Sequence, residues 1–304
     1  MTTDKRPTVV VVGAGIVGIC TAWHLQRRGA SVTLVDRDEP GHGCSYGNAG
    51  AMGAGSIVPL ATPGIARDAL RMLLDPTAPL RIPLSYLPKA APWLTRFVRA
   101  SRPEAVRRIS DALSALLAHA IEKHLEILNA VGAADIVRRT GQLHLYPDEK
   151  TLAKDTLGWT LRREQGLPFE RVTRADILAL EPEVGPDYPI GVFMPEQGMS
   201  INPYRQVTAI ATDFARRGGR IVRDRIVAIE IDDDRTRAVR GEAASYACDH
   251  AVICAGAWSM QLLASRDAER AGSCRSALDV HGDGSSHRSA IRSGRRPCAP
   301  ASAR

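Results

Sequence analysis

Three things are scarce in this sequence, and each shortage removes a class of function. No C-x-x-C pair occurs, and the six cysteines (Cys20, Cys44, Cys248, Cys254, Cys274, Cys298) have no zinc-like spacing with histidine. They read as reduced thiols of a cytosolic protein, not as a disulfide framework, and no metal site is expected. No stretch approaches the ~18 consecutive apolar residues of a membrane span. A soluble, cytoplasmic chain is therefore expected, with at most peripheral contact at the inner face of a membrane. Val9–Cys20 is apolar and follows Lys5 and Arg6, as a signal peptide would, but no small-residue cleavage site follows it cleanly.

Aromatic residues make up only 5% of the chain, and no basic stripe is interleaved with them. The formal charge of +7 is concentrated at the end: residues 265–304 hold eight Arg against four acids, leaving about +3 for the first 264. The remaining basic residues, such as Arg102 to Arg108, scatter along helices as a solvated face, so no nucleic-acid partner is expected. His24, His42, His119, His124 and His144 have no nucleophile pattern around them, and no catalytic residue is assigned.

What is present begins at Thr8-Val-Val-Val-Val-Gly-Ala-Gly-Ile-Val-Gly18. An apolar strand, a Gly-x-Gly-x-x-Gly turn and a helix over about Ile16 to Arg28 follow one another. Gly13 allows a tight turn, Gly15 lets the backbone approach a pyrophosphate, and Gly18 lets the helix pack closely on the strand. The helix N-terminus, starting at Ile16 and Val17, turns its free N–H groups toward the phosphates. A second strand, Ser31–Val35, delivers Asp36, 18 residues past Gly18, where a carboxylate can accept from a ribose 2′-OH. The pattern predicts a dinucleotide site.

With 304 residues the chain can build two domains. After a glycine-rich loop at Gly41–Gly50 and an extended stretch with Pro59 and Pro63, short helices are expected at Ala66–Leu74 and Trp93–Arg99. Val106, Ile109, Leu113, Leu116, Leu117, Ile121 and Leu125 recur at three- and four-residue steps, predicting one long helix from Glu104 to Ala130 that forms the packing face of a substrate domain. Gly141–Tyr146 alternates as a strand, Thr151–Gln165 and Arg174–Leu180 read as helices, and Gly191–Met194 as a strand. Pro203–Arg217 is again helical, followed by a strand at Ile226–Ile231, an acidic turn at Asp232–Asp234 and a buried strand at His250–Gly256. The chain thus leaves the nucleotide-binding sheet near residue 50 and returns after residue 200. That interleaving argues against a simple NAD-dependent dehydrogenase, which completes its binding fold in one run. Residues 265–304, eight Ser and eight Arg among Ala and Gly, are expected to be disordered.

Several of these segments together resemble the FAD-dependent D-amino acid dehydrogenase family, within the glycine oxidase and D-amino acid oxidase superfamily. They are Val10–Gly18, Thr33-Leu-Val-Asp-Arg37, Ser45-Tyr-Gly-Asn-Ala-Gly50, Pro59 with Pro63-Gly64, and Gly141–Tyr146. Leu180-Glu-Pro182, Met194–Gly198 and Val252-Ile-Cys-Ala-Gly-Ala-Trp-Ser259 complete the set. The Ser-x-x-Asn-Ala-Gly element is the most specific. The resemblance implies an α/β fold: a Rossmann-like FAD-binding domain in two segments (1–60 and 201–264) interleaved with an α+β substrate domain (61–200) and followed by the tail (265–304).

By the same resemblance FAD is the cofactor. Gly13, Gly15, Ile16, Val17 and Gly18 would cradle its pyrophosphate, with Asp36 and Arg37 at the adenosine end. Ser45, Asn48, Ala49 and Gly50 would line the pyrophosphate, ribityl and flavin edge, although turn chemistry alone also accounts for Asn and Ser there. Ile226 would offer strand backbone to the adenine, and Ala255 and Gly256 would turn beside the cofactor with Trp258 nearby. The implied reaction passes a hydride from Cα of a D-amino acid or related amine to flavin N5, and the imino acid hydrolyses to a 2-oxo acid. The electron acceptor stays open among a quinone, oxygen and another protein.

The resemblance stops near Leu263. The family chain continues with further strands, an Arg or Tyr for the substrate carboxylate and a closing glycine-rich segment; Gly294-Arg-Arg-Pro297 is only a faint echo of a late motif. A shortened or frame-shifted fold lacking its C-terminal part is therefore expected, with weak FAD retention and little or no turnover; a catalytically inactive remnant of the family is the alternative.

Overall fold

A computed structural model describes residues 6–74, 84–232 and 235–263. The tail expected to be disordered (265–304), with Gly294–Pro297 inside it, lies outside the described residues, as does part of the acidic turn at Asp232–Asp234. The chain opens with β1 (Thr8–Val12), α1 (Ile16–Arg27) and β2 (Ser31–Asp36). There follow β3 (Ala51–Met52), α2 (Ile65–Leu74), α3 (Leu87–Ala100), α4 (Pro103–Leu117), α5 (Ala120–Ala130), β4 (Val137–Arg138) and β5 (Gln142–Tyr146). Next come α6 (Glu149–Lys154), α7 (Thr156–Glu164), β6 (Glu170–Thr173), α8 (Arg174–Leu180), β7 (Ile190–Met194) and β8 (Gly198–Ser200). The described part ends with α9 (Pro203–Arg216), β9 (Arg220–Arg223), β10 (Ile226–Asp232), β11 (Arg235–Gly241), β12 (Ser245–Ala247), β13 (His250–Ile253) and α10 (Ser259–Leu263). Among the described residues no helix is long and apolar enough to cross a membrane.

The fold is mixed α/β around a parallel sheet of order β13-β1-β2-β9. In register, Val12 faces Val35 on one side and Ile253 on the other. β1 is valine at four successive positions because both faces of a central parallel strand are covered. Val9 and Val11 enter a core with Ile19 and Trp23 of α1 and Val207, Ile210 and Phe214 of α9. Val10 and Val12 enter a second core with Val35, Val239, Tyr246 and Leu262, beneath the antiparallel ribbon β10-β11-β12. Two further three-stranded antiparallel sheets, β3-β8-β4 and β5-β7-β6, occupy the middle of the chain.

The single helix expected over Glu104–Ala130 is two helices, broken at Ala118 and His119, where φ/ψ of −117°/20° at His119 leaves the helical region. Its apolar stripe does not form one packing face. Leu116 is 64% exposed, α4 buries Val106 and Ser110, and α5 turns Ile121, Ile127 and Leu128 into the core shared with the parallel sheet. Contact with two different surfaces is what one straight helix cannot supply. The helix expected over Thr151–Gln165 is likewise split, at Asp155, whose carboxylate accepts from the Tyr146 hydroxyl at 2.7 Å.

One polar cluster locks α1 to α9. Asp213, 3% exposed, accepts from Trp23 Nε1 at 3.0 Å and from Arg217 Nε at 2.7 Å, and also pairs with Arg216. Gln26 Nε2 adds bonds to the Phe214 and Arg217 carbonyls. Burial pushes the Asp213 carboxyl up, but the hydrogen bonds from Arg216, Arg217 and Trp23 outweigh it and hold the pKa at about 2. Because this folded-state value lies below the ordinary 3.8, the stabilisation is complete above that pH and is lost as the pH falls toward about 2. Urea unfolding of Asp213→Ala at neutral pH is expected to show a loss of ~2 kcal/mol. Asp213→Asn should flatten the acid limb of the wild-type stability curve.

Candidate nucleotide site at the carboxyl end of the parallel sheet

The turn after β1 is built from backbone contacts too close for any side chain. Gly13 sits at φ +108°, and a Cβ there would overlap the Cys254 carbonyl. A Cβ on Gly18 would overlap the Gly13 carbonyl oxygen. Gly13 N–H donates to the Val35 carbonyl at 2.8 Å and Cys254 N–H to the Val12 carbonyl at 2.7 Å, tying β13, β1 and β2 together beneath the turn. Gly15 differs: nothing lies within 4 Å of a Cβ built there. That open space stands over the start of α1, where Gly15 is the N-cap, no side chain caps the helix and no acid occupies its first turn. Val17 is 65% exposed beside it. Uncapped N–H groups and the positive end of the helix dipole face this space and suit an anion.

Asp36 closes the other side. Its Oδ2 accepts from Ala14 N–H at 2.6 Å and its Oδ1 from Asp38 N–H at 3.0 Å, so the carboxylate orders the turn itself. Each carboxylate oxygen has a second lone pair, which leaves acceptor capacity for a ribose hydroxyl. Next to it Arg37 lays its guanidinium over the Trp258 ring, 4.4 Å from the centroid, while its carbonyl accepts from Arg223 Nε at 3.1 Å. Trp258 follows Ala255 and Gly256, the latter at φ +55° with open space around it. Burial pushes the Cys254 thiol up, so it stays protonated at neutral pH.

The Ser45–Gly50 loop is fixed from its far end. Gly50, at φ +72°, presses on β8 so closely that a Cβ would overlap the Ser200 carbonyl, and Ser200 N–H donates to the Gly50 carbonyl at 2.8 Å. Ser45 is buried. Asn48 does perform turn chemistry: Oδ1 accepts from Gly50 N–H at 2.7 Å, and Nδ2 donates to the Cys44 carbonyl at 3.1 Å. Ala49 is exposed beside it. Ile226 packs its side chain against the second core, and a register shift between Ile226 and Ala228 leaves Val227 43% exposed. The structure therefore gathers Gly13, Gly15, Gly18, Asp36, Arg37, Ala255, Gly256 and Trp258 around the sheet's carboxyl edge, where open α/β sheets bind ligands.

His42, Tyr46 and Tyr204 form a further clamp beside this loop. His42 Nε2 lies 3.2 Å from the Tyr204 hydroxyl, and both Tyr46 and His42 meet the Tyr204 ring edge-on. It joins residues 162 positions apart, and no local pattern announces it.

Residues 8–279 match the model of the DAO family, FAD dependent oxidoreductases. The chain belongs to that family. It is 36% identical over 260 residues to a D-amino-acid oxidase of Bradyrhizobium diazoefficiens, covering 84% of this chain and 62% of that one. It is 33% identical over 175 residues to a D-amino acid dehydrogenase of Rhizorhabdus wittichii, covering 57% and 42%. The fold is similar to that of a glycine oxidase from Bacillus cereus, with a TM-score of 0.58 at 18% identity over 87% of this chain and 59% of that one. The chain thus spans less than two thirds of the length of these relatives.

Within this family member the three glycines make unlike demands. Gly15→Ser is expected to keep the stability of the cofactor-free chain within ~1 kcal/mol, since serine is a good N-cap and meets no neighbour. Gly18→Ala should cost ~2 kcal/mol or more through backbone overlap. Urea titrations of both variants check this pair.

Proposed function

We propose that the chain holds FAD at this edge and serves the oxidation of a D-amino acid or related amine. The observation that carries the reading is the uncapped α1 N-terminus with open space over Gly15, walled by Asp36 and by the Arg37–Trp258 stack. The residues fit the cofactor: Gly13, Gly15, Ile16, Val17 and Gly18 would receive the pyrophosphate, and Asp36 with Arg37 the adenosine. Ser45, Asn48, Ala49 and Gly50 would line the path toward the flavin, Ile226 would offer its backbone to the adenine, and Ala255, Gly256 and Trp258 would turn beside the cofactor. Bound FAD supplies a two-electron acceptor for the hydrogen on an amine-bearing carbon.

The chain's own share of the work is positioning. A backbone cradle holds an anion without a side chain to reorganise, and Asp36 anchors both its own turn and a sugar. Ala14 N–H, bonded to Asp36, keeps the turn from relaxing when a ligand leaves. Residues 1–60 and 201–264 form the FAD-binding part in this reading, and 61–200 the part that holds substrate. The preference for D-amino acids rests on the relatives named for them.

The test is an FAD titration of the purified chain followed by anaerobic addition of D-alanine or L-alanine. FAD at ~100 times its Kd should stabilise the chain by ~2.7 kcal/mol. D-alanine should bleach the flavin absorption band, and L-alanine should leave it unchanged. Gly15→Ser and Asp36→Ala should each weaken FAD binding at least ~10-fold, or ~1.4 kcal/mol. Equal FAD affinity in wild type and both variants overturns the site, and bleaching by both enantiomers overturns the substrate class.

A further inference from the structure

A second concave site shares no residue with the nucleotide edge. It is a cavity of about 230 Å³ between α6–α7 and the segment that follows β3, and its wall includes Arg162, Lys154, Asp155, His144, Val58 and Leu157. Arg162 is half-buried, one helical turn from the buried Trp159, with its guanidinium 4.6 Å from that ring's centroid. Its Nε donates to the Gly55 carbonyl at 3.1 Å. Gly158 keeps the terminal nitrogens clear, since a Cβ there would stand 3.2 Å from Nη1. Among the described residues no carboxylate stands at ion-pair distance from this guanidinium; Asp155 acts on it only from farther away.

The acid in the wall is already committed. Asp155 accepts from the Tyr146 hydroxyl at 2.7 Å, and that hydroxyl accepts from Trp159 Nε1 at 3.1 Å. Burial and the bond to Asp155 push the Tyr146 pKa to about 12, so it stays a donor. His144 stands edge-on to Trp159, and its Nε2 is buried without a partner. Burial first, and Arg162 second, hold the His144 pKa below its ordinary value, so the ring is neutral at neutral pH. Arg162 and Lys154 against Asp155 therefore leave one net positive charge facing the cavity. A half-buried cation with no ion-pair partner among the described residues is costly, and an anion that supplies one is bound in proportion.

We infer that this cavity binds a small monocarboxylate, its oxygens on the terminal nitrogens of Arg162, Lys154 at the mouth, and its carbon chain against Val58 and Leu157. One net positive charge is balanced by a monoanion, and the apolar wall favours one that carries an alkyl group over a bare oxyanion such as phosphate. The planar fork of arginine matches a carboxylate, and the apolar wall takes a short alkyl or acyl group. Occupancy would reach the nucleotide loop through Gly55, whose N–H donates to the buried Gln197 at 2.9 Å, five residues beyond Gly50. The inference stands apart from FAD binding and holds whether or not the chain turns over a substrate.

The test uses the full chain without FAD and follows the indole N–H resonance of Trp159, assigned by Trp159→Phe, during titration with sodium acetate, acetamide and inorganic phosphate. Acetate should shift that resonance saturably at millimolar concentration, and acetamide should not. Phosphate should require more than ~10-fold higher concentration. Arg162→Gln should weaken acetate at least ~10-fold. Because Arg162 also holds Gly55, exposed Lys154→Gln is the variant that leaves the fold untouched, and it should weaken acetate several-fold. Gly15→Ser should leave acetate binding unchanged, which separates this site from the nucleotide edge. An equal shift with acetamide or phosphate, or unaltered acetate binding in both Arg162→Gln and Lys154→Gln, overturns the inference.

Discussion

The backbone of Gly18 rests on the carbonyl of Gly13, and the rest of the structure is arranged around that approach. It brings α1 down onto β1 and β13 with no side chain between them, and it aims the first turn of the helix at the sheet edge. Asp36 then fastens the turn from the neighbouring strand by accepting from Ala14 N–H. The exposed N–H end of α1 at this edge is thus a consequence of packing. Peptide dipoles that cannot turn away are left with free donors facing open space over Gly15.

Such a turn is only as firm as the helix behind it. Trp23 on α1 and Asp213 on α9 meet inside the same core that takes Val9 and Val11, so the helix is held by burial and by a charged hydrogen bond together. The chain between β2 and α9 is long, yet both of its ends return to this core. Gly50 presses on Ser200 just before α9 begins, and Tyr204 in the first turn of α9 meets His42 and Tyr46. Loop, helix and sheet edge are therefore set by one set of contacts, while Arg162, Gly55 and Gln197 link that loop to the wall of the second cavity.

The parts legible in the sequence share a physical reason: their constraints are local. Four valines in a row and a glycine triplet mark a two-sided strand and a tight turn within one short segment, although the room denied at Gly13 is taken by distant Cys254. The return of a strand at His250–Ile253 is readable for the same reason, although at the sheet edge it is half-buried and not the buried strand expected. Helix continuity was not. The apolar steps from Val106 to Leu125 fit one helix equally well, and the break at Ala118–His119 follows from two different surfaces that α4 and α5 must meet. Asp155 splits the later helix because Tyr146, on another element, claims its carboxylate.

The family, the α/β class and the glycine turn after β1 are legible in the chain alone, since strand periodicity and glycine spacing are written residue by residue. What those residues touch follows from the folded chain. The fold bound Asp36 to its own turn, stacked Arg37 on Trp258, and left Arg162 facing a cavity with no ion-pair partner among the described residues. Each of these joins positions far apart along the chain, and distance along the chain carries no information about which side chains will share a dielectric.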